Sequence, residues 1–356
     1  MMLSHPIRRR DILGGIAMGG VARVACPGAA LASALAHHRL DWNWLVGNWD
    51  VTHRRLRERL VGNNDRQDFG GRSALWLALG GLGTIDDNIV DLPGGSYRGL
   101  TVRTFDPATD RWAIWWIDGR NPSTIDPPVG GRFRSGEGVF TGHFIVRDRP
   151  VFARFRWHDI SSNRPNWDQA FSIDDGRSWE INWRNWFTRT SVQPSTLPLL
   201  PGVSDDFAFL HGRGNVHHRK LRRWLVDAHD WDEFGGTFSN RPVLGGAGNF
   251  GDNVMFHPAG TMRGIGLRTY DPVARQWLSW WIDDRTPHDI AAPLRGGFTD
   301  GVGTFLARDT LDRRPILARA TWSRITPRTA RWEQAFSADS GATWEVNWTS
   351  DYVRAA

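Results

Sequence analysis

In this 356-residue chain the side chains best suited to chemistry are a histidine, two carboxylates and an arginine. His53 with Asp118 or Glu180 would supply an acid and a base, and Arg98 or Arg103 would stabilise a developing oxyanion. No nucleophile elbow, phosphate-cradling glycine loop or metal-spaced histidine set accompanies them. His37-His38 and His217-His218 are adjacent pairs, and strand neighbours face opposite ways, so no metal is expected. No cofactor is expected either, although a haem on His53 or His218 stays open in a small β protein. The same residues also fit a purely structural role: Asp118 with Arg120, or Arg98 with Glu180, would make ion pairs that close one end of a sheet.

A second set of residues points to binding rather than reaction. If the segments are strands, alternation places Trp112, Ile114, Trp116, Asp118 and Arg120 on one face, matched further along the chain by Trp277, Ser279, Trp281, Asp283 and Arg285. Gln169 shares a face with Trp167 and Phe171, and Glu180, Asn182 and Arg184 lie opposite Trp179, Ile181 and Trp183. Gln334, Glu345 and Asn347 are the later counterparts, while His218, Arg263 and Arg268 match His53, Arg98 and Arg103. Tryptophan walls with a few amides, one carboxylate and one arginine are what a mid-sized apolar or aromatic ligand needs. The candidate binding residues are therefore Trp112, Trp116, Arg120, Gln169, Asn182, His218, Arg263, Trp277, Trp281, Asp283, Arg285, Gln334, Glu345 and Asn347. Carbohydrate stacking is another class, but tryptophans alternating within strands favour packing over an exposed platform.

The elements that must position these residues occur twice. Tyr97-Arg98-Gly99-Leu100 and Phe105-Asp106-Pro107 recur 165 positions later as Met262-Arg263-Gly264-Ile265 and Tyr270-Asp271-Pro272. Trp115-Trp116-Ile117-Asp118 recurs as Trp280-Trp281-Ile282-Asp283, and Trp167-Asp168-Gln169-Ala170-Phe171-Ser172 as Trp332-Glu333-Gln334-Ala335-Phe336-Ser337. Roughly 40% of positions from 41 to 189 are identical at this offset without a gap. The pattern implies one fold used twice, residues 37–189 and 206–356, joined by a proline-bearing linker over 190–205.

Within a copy, short aromatic or β-branched runs are bounded by Gly, Pro, Asn and Asp, and no stretch holds a helical apolar stripe for three turns. Eight to ten antiparallel strands per copy, in a barrel or sandwich, are expected. Ser172 to Trp179 and Ser337 to Trp344 resemble the Asp-box hairpin, a structural motif.

Each copy resembles a bacterial family of lipocalin-like (calycin) β-barrel proteins of unknown function. The resemblance rests on Leu45-Val46-Gly47-Asn48-Trp49, Tyr97-Arg98-Gly99, Phe105-Asp106-Pro107 with Trp112 to Asp118, and the closing block from Trp167 to Trp183. It spans 40–189 and 206–354, and implies an all-β chain of two tandem lipocalin-like antiparallel barrels, packed side by side as a pseudo-dimer within a monomer. The opening tryptophan, which such barrels use as a plug, is replaced in the second copy, Leu210-His211-Gly212-Arg213-Gly214. The implied role is binding of a small hydrophobic or aromatic molecule. Tandem lipocalin-like domains also occur in carotenoid hydratases and related enzymes, so the alternative the resemblance implies is a cofactor-independent hydratase, isomerase or cyclase acting on a prenyl or polyketide-like substrate through acid–base residues in the cavity.

The remaining features concern address and partners. Arg8-Arg9-Arg10-Asp11-Ile12-Leu13, followed by Gly- and Ala-rich sequence to Ala36, resembles a twin-arginine export signal over residues 1–36, implying the translocation machinery as a partner and a periplasmic or extracellular address. Cys26, the only cysteine, lies inside it, and no membrane span is expected after cleavage. Removing four Arg and one Asp takes the net charge from +6 to about +3 (6 − 4 + 1). With Lys220 the only lysine and the arginines scattered, nucleic acid is not an expected partner.

Overall fold

The computed structural model describes residues 35–160 and 163–355; the export-signal reading and Cys26 lie almost entirely or wholly outside them. The first ten strands are β1 (Gly47–Leu56), β2 (Arg66–Ala78), β3 (Gly83–Leu92), β4 (Gly95–Asp106), β5 (Arg111–Asp118), β6 (Val129–Arg134), β7 (Glu137–Val146), β8 (Arg149–His158), β9 (Asn166–Ser172) and β10 (Glu180–Ser191). The second ten are β11 (Gly212–Leu221), β12 (Trp231–Val243), β13 (Gly248–His257), β14 (Gly260–Asp271), β15 (Gln276–Asp283), β16 (Leu294–Thr299), β17 (Val302–Leu311), β18 (Arg314–Ser323), β19 (Thr329–Ser337) and β20 (Glu345–Arg354). Each set forms a closed antiparallel barrel in sequence order, sealed by β1 on β10 and by β11 on β20. Closure leaves no free sheet edge. No helix among the described residues is long and apolar enough to cross a membrane.

Strand alternation divides each barrel wall into an inner and an outer face. Inside the first barrel, Trp42, Trp112, Phe140 and Trp157 fill one end, capped by the short 3-10 turn Asn43–Leu45. At the far end the inner face carries Phe69, Tyr97, Trp116 and Trp183. The second barrel repeats this with Phe207, Trp277, Phe305 and Trp322 at its capped end and Phe234, Met255, Trp281 and Trp348 at the other. Gly99 and Gly264 explain the repeated Arg-Gly of β4 and β14: a Cβ there would lie 2.1 and 2.0 Å from the Trp116 and Trp281 rings, which occupy that space.

The missing plug tryptophan does not open the second barrel. Trp49 lies opposite Ser73 across β1 and β2, and at the matching pair Gly214 lies opposite Phe238. The large ring has moved to the neighbouring strand, where Phe238 packs edge-on to Tyr352 at 5.1 Å as Trp49 does to Phe187 at 6.0 Å. One local expectation fails: a bulge between Ile181 and Trp183 breaks the alternation of β10. Trp183 turns inward to His53, Asn182 is fully buried and Arg184 is exposed, so Asn182 and Arg184 do not share a face.

The outer faces of β2 to β5 and β12 to β15 pack on each other. Trp76, Leu100, Val102, Trp115 and Ile117 meet Phe250, Ile265, Leu267, Trp280 and Ile282 in one apolar core shared by the two barrels. The repeated Trp-Trp pairs are thus split, the second ring inside a barrel and the first between barrels. The polar contacts are reciprocal. Asp252 accepts from the Leu79 backbone N–H at 3.0 Å and Asp87 from that of Leu244 at 2.9 Å. Thr104 donates to the Pro287 carbonyl at 2.8 Å and Thr269 to that of Pro122 at 2.6 Å. Each pair is related by the 165-residue offset, so the interface has an internal twofold.

Candidate functional site

The side chains expected to form an acid–base set are not brought together. His53 is buried on the inner face of β1, stacked on Phe69 at 4.8 Å, with Nδ1 2.7 Å from Asn185 Oδ1. Burial lowers its pKa to about 4, against the Asn185 hydrogen bond, so the ring is neutral at neutral pH. Its ring fits because position 71 is glycine: a Cβ there would come 2.6 Å from Nε2. Glu180 is committed to the loop after β1, both carboxylate oxygens accepting from the Leu60 N–H at 3.0 Å. Asp118 binds Arg120, whose Nε lies 2.9 Å away and whose guanidinium stacks 3.9 Å over Tyr97. Burial raises the Asp118 pKa, but hydrogen bonds and charge from Arg120 outweigh it and the net shift is down. Arg98 points out of the barrel, donating to the Pro198 carbonyl and lying 3.9 Å from Asp87. Its counterpart Arg263 also faces the seam, against Gly80.

The residues expected to line a ligand space divide between the ends. Trp112 and Trp277 are sealed at the capped ends, their indole N–H groups bonded to Asp41 and Asp206 at 2.8 Å. Trp116 and Trp281 lie at the far ends and are only half-buried, as are Trp167, Trp183 and Trp332. Gln169 donates to Asn182 at 2.7 Å, whereas in the second barrel the buried Gln334 Oε1 and both amide atoms of Asn347 have no partner among the described residues. Asp283 holds Arg285 as Asp118 holds Arg120, and Glu345 accepts from the Leu225 N–H at 2.8 Å as Glu180 does from Leu60. His218 repeats His53 with a different partner, Ser350 Oγ at 2.8 Å, and burial lowers its pKa to about 4.

The far ends also differ in cation. The first carries Arg55 and Arg59 around Trp183, at 5.1 and 5.8 Å from its ring. At the matching positions the second has Lys220, 4.3 Å over Trp348, and Trp224. Burial, together with the Arg285 charge, lowers the Lys220 pKa to about 8. Among the described residues no group of three or more His, Cys, Asp or Glu is placed to hold a metal. A surface groove of about 460 Å³ between Arg111, Arg132, Arg134 and Glu137 lies on the outside of β6 and β7, away from both interiors.

Several inner residues differ between the copies and so lie outside the set of matched positions: Asn185 and Ser350, Asp86, Asn240, Asn249 and Tyr352. Their signal is the mismatch at the 165-residue offset, where Asp86 becomes Gly251, Leu75 becomes Asn240 and Phe187 becomes Tyr352.

Comparison with known proteins adds little. No family model matches the chain and no curated protein matches it. Among solved structures it is similar to a DUF3598-family protein of unknown function from Nostoc punctiforme, at 12% identity over 89% of this chain and 99% of that one, TM-score 0.24. It is also similar to a mutant of transferrin binding protein B from Haemophilus parasuis, at 6% identity over 87% and 76%, TM-score 0.21. A third is AofleA from Arthrobotrys oligospora, at 9% identity over 80% and 90%, TM-score 0.15. Likeness of this degree carries no functional argument.

Proposed function

We propose that this is an exported binding protein of lipocalin type, holding a small, largely apolar or aromatic molecule in a tryptophan-lined barrel interior. The observation that carries the reading is the contrast between the ends: Trp112 and Trp277 are sealed, while Trp116, Trp167, Trp183, Trp281 and Trp332 keep accessible surface although they face inward. Inward aromatic rings with accessible surface are what a ligand would cover, and His53, His218, Lys220 and the Asp118–Arg120 and Asp283–Arg285 pairs beside them supply orienting polar groups. The acid–base alternative has less support, because Arg98 lies on the outer face and Glu180 is held by a loop N–H.

Export through the twin-arginine route to the periplasm or cell exterior belongs to the same proposal. A barrel folded before translocation would keep its interior intact. Native mass spectrometry of the protein purified from its own host tests the binding reading. A co-purifying hydrophobic molecule, released on unfolding, is the expected result; a chain of bare protein mass that also fails to bind any apolar or aromatic probe would overturn it.

A further inference from the structure

The two barrels treat the same buried arginine in opposite ways. In the first, Arg103 on β4 donates from Nη1 to Asp86 on β3 and to Thr84 at 3.2 Å, and Thr101 also bonds Asp86, at 3.0 Å. The set is self-neutralised and sealed, Arg103 being 3% and Asp86 5% exposed. In the second, Arg268 keeps its place over the capping ring, 4.9 Å from Phe207 as Arg103 is 4.5 Å from Trp42. Its counter-charge is gone: position 251 is glycine where Asp86 stands, and 266 is glycine where Thr101 stands. Among the described residues no carboxylate pairs with Arg268, which donates only to Asn249 Oδ1, at 3.0 Å. Among the described residues its Nε and Asn249 Nδ2 are buried donors without acceptors; Arg103 Nε also lacks one, so what sets the second barrel apart is the lost counter-charge and the free Asn249 amide, while Arg268 as a residue keeps some accessible surface. Gly266 lies directly beneath it, a Cβ there falling 3.4 Å from Nη2. Burial lowers the Arg268 pKa to about 10, so it is still charged at neutral pH.

A largely desolvated guanidinium without an anion is destabilising, and the unused Asn249 Nδ2 beside it adds to the cost. We infer that the second barrel binds a molecule with a carboxylate head, which takes the place of Asp86 against Arg268 and Asn249 while its apolar body extends towards the far-end tryptophans. The first barrel, which carries its own carboxylate, does not. This rests on the binding reading above and specifies its ligand class. Asn240, 4% exposed, donates to Asn249 at 3.1 Å and fixes that amide. Asn240 and Tyr352, which replace Leu75 and Phe187, make the surrounding wall more polar.

The test titrates the full chain calorimetrically with benzoate, naphthalene-2-carboxylate and dodecanoate, each against its neutral amide. At least one carboxylate should bind with unit stoichiometry and about tenfold or more tighter than its amide, the usual margin of a charge-assisted over a neutral hydrogen-bond pair. Arg268→Met should remove that margin, and Arg103→Met should not change it if the variant folds. Gly251→Asp supplies the second variant: a Cβ there meets the side-chain ends Asn240 Nδ2 at 3.1 Å and Asn253 Nδ2 at 3.5 Å, and the Ser239 carbonyl oxygen only at an ordinary 3.9 Å. It should abolish carboxylate binding and raise the melting temperature. Equal binding of carboxylate and amide, or a preference that survives Gly251→Asp, overturns the inference and leaves barrel binding standing. Binding of neither series overturns the inference, and together with a bare native mass it overturns the binding reading as well.

Discussion

The two barrels share strand order, capping turns, inward histidine and far-end tryptophans, yet they differ in the polar content of one layer. The first closes that layer with Asp86, Thr101 and Arg103; the second keeps only the arginine. A duplicated fold shows directly which interior groups architecture requires in both places and which are free to change. The arginine over the capping ring is kept, and its neutralising partner is not. The capped ends differ by another route, the Trp49 and Ser73 pair becoming Gly214 and Phe238, which preserves an aromatic filler while moving it to the next strand.

The sharpest way to break the contrast is Asp86→Ala. It should destabilise the first barrel by about 3–5 kcal/mol, because it leaves Arg103 buried and unpaired, the condition the second barrel already tolerates at Arg268. Chemical denaturation would show it, and a loss below 1 kcal/mol would mean the two arginines sit in equivalent surroundings. Next, Phe238→Ala should cost the second barrel about 3 kcal/mol by cavity formation, whereas Ser73→Ala in the first should be close to neutral.

A third effect is pH dependence. A histidine whose folded pKa of about 4 lies below its unfolded value of 6.5 binds fewer protons folded than unfolded between those values. Its contribution to stability is therefore complete above 6.5 and is lost as pH falls towards 4, up to about 3 kcal/mol. His53→Gln and His218→Gln should each flatten the acid side of the stability profile relative to the parent protein, and a variant with the parent's slope would rule that histidine out as a source. The smallest effect concerns the seam, where the barrels are alike. Thr104→Val and Thr269→Val should each cost about 1 kcal/mol in thermal unfolding, and a marked inequality would show the internal twofold to be broken energetically.

Much of the fold is legible in the chain because its causes are local. Asp-Pro turns at Asp106-Pro107 and Asp271-Pro272, together with period-two aromatic runs, dictate antiparallel hairpins, and the 165-residue offset dictates two of them in series. Which face of a strand is inner is less legible. Trp115 is buried between the barrels and Trp116 is half-buried within one, and hydrophobicity alone cannot tell an interface face from an interior face. Asn182 and Trp183 could not be placed by alternation because a bulge is a property of the pair of strands. The charge imbalance at Arg268 needs register: Asp86 is 17 residues from Arg103, and only the antiparallel pairing of β3 with β4 brings them together. The missing aspartate shows in the sequence as Gly251 at the position matching Asp86, a mismatch between the copies rather than a shared residue.

The reciprocal seam between the barrels has the form of the contact between two identical subunits, in which one patch meets itself. Joining the subunits in one chain makes their association independent of protein concentration. It also removes a constraint. In a symmetric pair every substitution appears on both sides, so aspartate and glycine could not face the same arginine in different halves; once fused, one half can hold its own counter-charge while the other gives it up.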